Sequence, residues 1–498
     1  MLTHRLPSHV ESVAQLPEGQ SRPFVKHVEK PTTPGVGVAL GFAFLTKMLQ
    51  GLIVLPAFGL AYLLLANTSW RKRIGQLAVA TLALIVSAGW FVVVTMIVPA
   101  SARPYIGGST DNTFMDLVLG YNGIGRISGD AGNGGGPGGA GTAGGSFGGE
   151  TGLSRLFGSE MGNEISWLLP VAVLALVFLA YVAVRSRFDG PGLTRMEGAA
   201  AIAWGGWLLV TAAVFSYMSG TIHPYYTVAL APAIGAVIAI AAIVAWRRRD
   251  RWDGRLTIAA MIALAAAWSI VLLNRNDFGP TWCRWALGAV ALIAALTVLV
   301  GGALGWRQAA GAAVIAGSIA GFAGTASFAI ATATTPHSGS IPTAVSTSME
   351  TGGMGGPGGM RGGPNGAPGR GRPTAPADQG DGQDRSRSGS PGSSVSADSE
   401  LAALLRSTTT TWAAATNGSQ SAAGIEIASG KAVMAIGGWS GDPAPTLDQF
   451  KTYVQEGKIG YYIGGQGGDR GGNSEIAEWV AANFTASTID GQTVYKLI

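Results

Sequence analysis

Long apolar runs separated by short polar breaks dominate the first 331 residues. A spanning helix needs about 20 consecutive apolar residues. Eight runs meet that length, over 48–66, 75–98, 164–184, 197–217, 226–246, 256–273, 285–304 and 309–331. A ninth, 35–46, is apolar but too short to cross alone, and reads as a half-helix ending at Lys47. The basic breaks are "SWRKRIGQ" (69–76), "RSRFDGPGLTR" (185–195), "WRRRDRWDGR" (246–255) and "WRQ" (306–308), one at every second connection. The positive-inside rule makes these cytoplasmic. It leaves 99–163, 218–225, 274–284 and everything after 331 outside.

Two segments are of low complexity: "AGNGGGPGGAGTAGGSFGG" (131–149) and the Gly/Pro/Ser-rich stretch 349–396. Neither can bury enough apolar surface to offset its ordering entropy, so both are expected to be flexible. Beyond them, helical and extended patterns alternate. "DSELAALLR" reads as a helix behind an Asp398 cap, and "KAVMAIGGW" and "IGYYIGG" as strands. "TLDQFKTYVQEG" is a helix from a Thr446 cap to a Gly457 stop, "NSEIAEWVAANF" another helix, and "STIDGQTVYKL" a hairpin through Asp490-Gly491. The expected fold class is an α-helical polytopic membrane protein, with about eight transmembrane helices plus a partial one and a small extracytoplasmic α/β domain. Its parts are an unstructured 1–34, a transmembrane region 35–334, a flexible linker 335–396 and the domain 397–498. The expected location is the cell membrane.

Composition narrows the function. Only 12% of residues are charged, about half the share in soluble domains, which excludes a soluble globule. The net charge of +5 comes from arginines lying between apolar runs. Topology accounts for them, and nucleic acid is not an expected partner. A single cysteine, Cys283, rules out an intrachain disulfide and a cysteine-based zinc site. None of the five histidines has an i, i+4 partner, so nothing argues for a metal. Residues 1–33 lack the apolar core of a signal peptide.

Candidate chemistry gathers at the outer face. Lys47, in "FLTKMLQ", is either a lysine snorkelling at a helix end or an ammonium held to grip an anion such as a lipid phosphate. "SGTIHPYYTVALAPA" puts His223, Tyr225 and Tyr226 at one helix mouth. Each tyrosine alone suits an interfacial belt, but the cluster makes a polar, oriented surface. The outer loop 98–129 carries Arg103, Tyr105, Asp111, Asp116, Tyr121, Asn122 and Arg126 among glycines, more than a connector needs. Its glycine pairs, like Gly437-Gly438 and Gly464-Gly465, lack the strand–loop–helix context of a phosphate cradle. His337 lies just past the last run, and Asn417-Gly418-Ser419 matches a glycosylation sequon, a pattern that short stretches meet by chance.

Four ordered blocks carry a resemblance: "GFAFLTKMLQ", "VPASARPYIGGSTDNTFMDLVLGYNGIGRISG", "MSGTIHPYYTVALAPAIGAVIA" and "HSGSIPTA". From about residue 36 to its end, the chain resembles bacterial membrane glycosyltransferases related to protein O-mannosyltransferases and the lipid A aminoarabinose transferase. Within these it resembles a mannosyltransferase branch with an extracytoplasmic C-terminal domain. The resemblance implies transfer of a mannose-like sugar from a polyprenyl-phosphate donor to an extracytoplasmic acceptor, protein or cell-wall glycan, with no further cofactor. It assigns Lys47 to the lipid phosphate, and makes Arg103, Tyr105, His223, Tyr225 and Tyr226 candidates for substrate binding. In this family an acidic catalytic loop precedes the LTK block. Only 46 residues precede Lys47 here, and they resemble none of it. Asp111, Asp116, Glu160 and Glu164 do not match the family's base. The expectation is therefore a chain truncated at its N-terminus, or one paired with a separate chain that supplies the absent helices. A non-catalytic lipid-phosphate-binding partner or pseudoenzyme is the alternative. A transporter fits less well, since its broken helices belong near mid-membrane in paired repeats.

Overall fold

The first helix turns back before it reaches the far end of its neighbour. This is seen in the computed structural model, which describes residues 33–128, 149–186, 188, 192–220, 222–335, 343–344, 395–438, 441–464 and 474–498. The expected unstructured N-terminus, the glycine-rich insert, nearly all of the linker and His337 lie outside the described residues. Helix α1 (Thr33–Lys47) runs parallel to α3 (Trp70–Ile97). An ideal Cβ on Gly37 would meet the Ala80 carbonyl at 2.1 Å, and one on Gly41 the Leu84 carbonyl at 2.8 Å. Small residues let the two backbones touch, as membrane helices require when lipid gives no hydrophobic drive. Counting on from the Gly37–Ala80 approach brings Lys47 level with Trp90, seven residues short of Ile97, which at about 1.5 Å per residue recesses the lysine's backbone by about 10 Å.

Beyond Lys47 a 3₁₀ turn, Met48–Leu52, doubles back, and a Cβ on Gly51 would sit 2.6 Å from the Ala43 carbonyl. Helix α2 (Leu55–Leu65), with Pro56 in its first turn, returns over 11 residues. The run 48–66 is therefore not one spanning helix. Thr33–Leu52 is long enough to cross and Leu55–Leu65 is the short element, the reverse of the expected assignment. Hydropathy counts apolar residues but does not see the break that Met48, at φ 46°, makes in the backbone.

Six further helices follow: α4 (Leu169–Arg185), α5 (Arg195–Tyr217), α6 (Ala231–Arg247), α7 (Trp252–Arg275), α8 (Thr281–Ala303) and α9 (Arg307–Thr334). Together with short flanking turns, eight helices among the described residues are long and apolar enough to cross a membrane. Their core is built from small side chains, including Ala175, Ala241, Ala291, Ala294 and Ala320. A Cβ on Gly324 would sit 1.8 Å from Ser269 Oγ. The basic connections meet at one end. Arg195 donates to Asn67 at 2.8 Å, Arg247 pairs with Glu197 at 2.6 Å, and Arg248 pairs with Asp253 in a buried ion pair.

The C-terminal domain has a five-stranded sheet in the order β2-β1-β3-β5-β4, formed by β1 (Trp412–Asn417), β2 (Val433–Ile436), β3 (Ile459–Gly464), β4 (Ala486–Ile489) and β5 (Gln492–Lys496). Strands β1, β2 and β3 are parallel, and β5 pairs antiparallel with β3 and β4. Helices α10 (Glu400–Arg406) and α11 (Ser419–Ser429) cover one face. Helices α12 (Leu447–Gln455) and α13 (Ser474–Asn483) cover the other. Thr446 caps α12 in a capping box with Gln449, as its sequence predicts, while α10 is capped by Ser399 rather than Asp398. Strand β1 and helix α11 go unpredicted by the apolar pattern; in "WAAATN" three alanines stand in a row, with no alternation and Thr416 as the single β-branched residue.

The α1–α3 contact gives a prediction. Gly37→Val forces a side chain onto a backbone carbonyl that cannot move aside. It is expected to destabilise the protein by about 1–3 kcal/mol, read as a lower thermal midpoint in detergent, whereas Gly75→Ala, where a Cβ meets nothing within 4 Å, changes little.

Candidate functional site

At the end of the bundle opposite the basic connections, three irregular segments meet around one ring. The first is the Lys47–Leu52 turn. Met48 holds a left-handed backbone, a conformation that costs a non-glycine residue about 1–2 kcal/mol and persists only where neighbours impose it. The second is Leu117–Ile124, wound as a π-helix and broken at Gly123, followed by Gly125–Ser128. A Cβ on Gly123 would lie 3.2 Å from Leu49 Cδ1, and Asn122 Nδ2 lies 3.3 Å from Met48 Sδ, so this segment rests on the lysine turn. The third comprises residues 218–220 and 222–223, ahead of Pro224–Leu230. Its Gly220 N–H donates to the Arg126 carbonyl at 2.8 Å and its Ser219 N–H to the Ile127 carbonyl at 3.1 Å. A Cβ on Gly220 would clash with Arg126 Cα at 2.6 Å. Here glycine is required by the close approach of two backbones.

That lacing sets the side chains. Lys47 Nζ stands 4.9 Å from the centre of the Tyr226 ring. Arg126 Cζ lies 5.7 Å from the same ring and 5.0 Å from that of Tyr121. Its Nη1 is 3.3 Å from Tyr226 Oη, and its Nε donates to the Tyr121 carbonyl at 3.0 Å. His223 stacks on Tyr225 at 5.5 Å and meets Tyr226 edge-on at 5.3 Å. The His223 imidazole is held below its usual pKa by burial, then by the charges of Arg126 and Lys47, so it stays neutral in their presence. Among the described residues no carboxylate forms an ion pair with Lys47. Two cations thus share one phenol ring.

Four of the residues singled out in the sequence, Lys47, His223, Tyr225 and Tyr226, thus come together. Arg103 and Tyr105 stay with their own loop. Arg103 Nη1 donates to Asn112 Oδ1 at 2.9 Å, and the Tyr105 hydroxyl donates to the Ser109 carbonyl at 2.6 Å. Asp116 accepts from the Thr110 N–H at 2.6 Å, and Asp111 from the Thr113 N–H at 2.9 Å. Arg126 and Tyr121 join the cluster although the sequence marked them only as members of a dense loop. Among the described residues no group of three or more His, Cys, Asp or Glu side chains is placed to hold a metal.

Fold and site define a multi-pass membrane protein with a cluster of cations and aromatic rings at one end of its bundle and an appended α/β domain. Residues 24–92 match the family described as dolichyl-phosphate-mannose-protein mannosyltransferase, and 401–483 the one described as "Putative mannosyltransferase YkcB-like, C-terminal". The chain is 30% identical to "Putative mannosyltransferase YkcB" of Bacillus subtilis (strain 168), over 89% of its own length and 68% of the relative's. It is 26% identical to "Putative mannosyltransferase YycA" of the same organism, over 91% and 71%. No solved structure matches. The chain belongs to the YkcB-type mannosyltransferases, a family of membrane glycosyltransferases.

The depressed His223 pKa predicts a pH effect with a definite sign. Below about pH 6.5 the unfolded chain takes up a proton that the folded chain refuses. The stability from a neutral His223 is therefore full above that pH and lost as pH falls through the folded value. Lys47→Met is expected to raise the His223 pKa, observed by NMR titration of labelled histidine.

Proposed function

We propose that this protein transfers a mannose-like sugar from a polyprenyl-phosphate donor to an extracytoplasmic acceptor, with Lys47, Arg126 and Tyr226 holding the donor's phosphate. The observation that carries this reading is the pair of cations sharing the Tyr226 ring, 4.9 and 5.7 Å from its centre. As the sugar leaves, charge grows on the phosphate. Cations already in place stabilise it without reorganising. The recess of Lys47 alongside α3 suits a phosphate whose prenyl chain lies in lipid, and the half-exposed Tyr225 offers a face to the sugar. In this reading the far end of the bundle, with the α/β domain, is extracytoplasmic, because every basic connection collects at the other end.

The acceptor hydroxyl must lose a proton, and the cluster carries no carboxylate to take it; that base comes from outside the cluster. The same observation favours a second reading, a non-catalytic chain that only binds the lipid phosphate. One experiment separates the two. The purified 498-residue chain is given polyprenyl-phosphate mannose and acceptor membranes. Steady transfer establishes the enzyme, and tight binding without turnover establishes the binding partner. In either case Lys47→Ala is expected to raise the Kd for polyprenyl phosphate about tenfold, or about 1.4 kcal/mol. Unchanged binding by titration calorimetry would return Lys47 to a snorkelling role.

A further inference from the structure

We infer that the α/β domain supplies a positioning residue, Asp442, which docks the domain on the membrane half and shapes one wall of the Lys47–Arg126–Tyr226 site. The inference rests on the reading of that site given above.

Asp442 lies in the loop that follows β2, at the carboxyl edge of the parallel strands, the edge where α/β sheets place their functional loops. The loop is tight. The Asp442 N–H donates to the Gly437 carbonyl at 2.8 Å, the Gly437 N–H donates to the Ala444 carbonyl at 3.0 Å, and Gly437, Gly438 and Gly441 all have positive φ. Its carboxylate leaves the domain and accepts the Gly108 N–H with both oxygens, at 3.0 and 3.1 Å. Ideal Cβ atoms on Gly107 and Gly438 would each lie 3.3 Å from Oδ2, so the carboxylate is seated between a glycine of each half. Burial raises its pKa, and the Gly108 hydrogen bond opposes that rise. A carboxylate taken from water toward a backbone N–H makes a stronger hydrogen bond than a neutral acceptor would.

The contact continues to the site. Gly108, at φ 84°, lies against Tyr121, where its Cβ would be 3.3 Å from Cγ. The Tyr121 ring carries Arg126 at 5.0 Å, and Arg126 reaches Tyr226. Asp442 therefore sets Gly108, Gly108 sets the Tyr121 ring, and that ring sets the height of the Arg126 guanidinium beside the phosphate position.

The test uses the full chain in lipid nanodiscs, with Cys283→Ser as background. Gly107→Cys with Gly438→Cys, which leaves Asp442 in place, is treated with a short bismaleimide and is expected to cross-link within one chain; absence of the cross-link overturns docking. Binding of polyprenyl phosphate is then measured for Asp442→Ala, Asp442→Asn and Lys47→Ala. Asp442→Ala is expected to weaken binding about fivefold, from the loss of one hydrogen bond. Asp442→Asn, which keeps an acceptor oxygen, is expected to recover most of that loss, with the thermal midpoint unmoved in both. If Asp442→Ala binds normally while Lys47→Ala is weakened, the positioning role falls and the phosphate site stands. If Lys47→Ala binds normally, the phosphate site falls, and with it the wall assigned to Asp442.

Discussion

In a bilayer an N–H or C=O without a partner has no water to turn to, and this constraint decides where the chain is allowed irregular backbone. The three irregular segments around Tyr226 lie against one another, and the N–H groups of Gly220 and Ser219 cover the carbonyls of Arg126 and Ile127. Elsewhere arginines do the covering. Arg155 donates to the carbonyls of Phe215 and Met218 where α5 ends, Arg284 to those of Phe278 and Gly279 in the α7–α8 turn, and Arg73 to those of Leu63 and Leu64 at the close of α2. Such placement satisfies orphan carbonyls and the negative end of a helix dipole together.

The same constraint explains why Lys47 stands apart. Arg103 and Arg126 at its end of the bundle donate to loop carbonyls, and Arg126 also lies over the Tyr121 and Tyr226 rings, whereas the Lys47 ammonium is turned onto the Tyr226 ring. A cation over a phenol in a recess retains most of its attraction for an anion. The neutral imidazole beside it adds no competing positive charge. The proposed occupant, an anionic group, is one that this electrostatic arrangement suits, in a chain that belongs to the membrane mannosyltransferase family.

Much of this was legible beforehand. Apolar runs and basic connections located seven of the eight long apolar helices because both signals are local: length against bilayer thickness, and charge against loop parity. The α12 cap and the Asp490-Gly491 turn were equally readable, since each depends on residues within three positions. What escaped did so for stated reasons. The central strand "WAAATN" is buried on both faces by small residues and shows no alternation. The exchange of roles between 33–52 and 55–65 depends on a backbone break that apolar composition hides. Arg126 was visible only as one charge in a busy loop, and Asp442 had no distinguishing neighbour at all.

Taken alone, the sequence determined that the chain crosses a membrane repeatedly, that it carries a separate α/β domain, and that a lysine and a His-Pro-Tyr-Tyr block share one side. These follow from hydropathy, charge parity and motif, which are properties of neighbours along the chain. Only the tertiary structure decided that Lys47 and Arg126 face the same ring, that Arg103 and Tyr105 serve their own loop, and that an aspartate of the distant domain meets Gly108. The Lys47, Arg126 and Asp442 contacts join segments 100 or more residues apart, whereas those of Arg103 and Tyr105 stay within nine. The long-range contacts depend on the close approach of backbones at Gly37 and Gly220, which only the packed structure reveals.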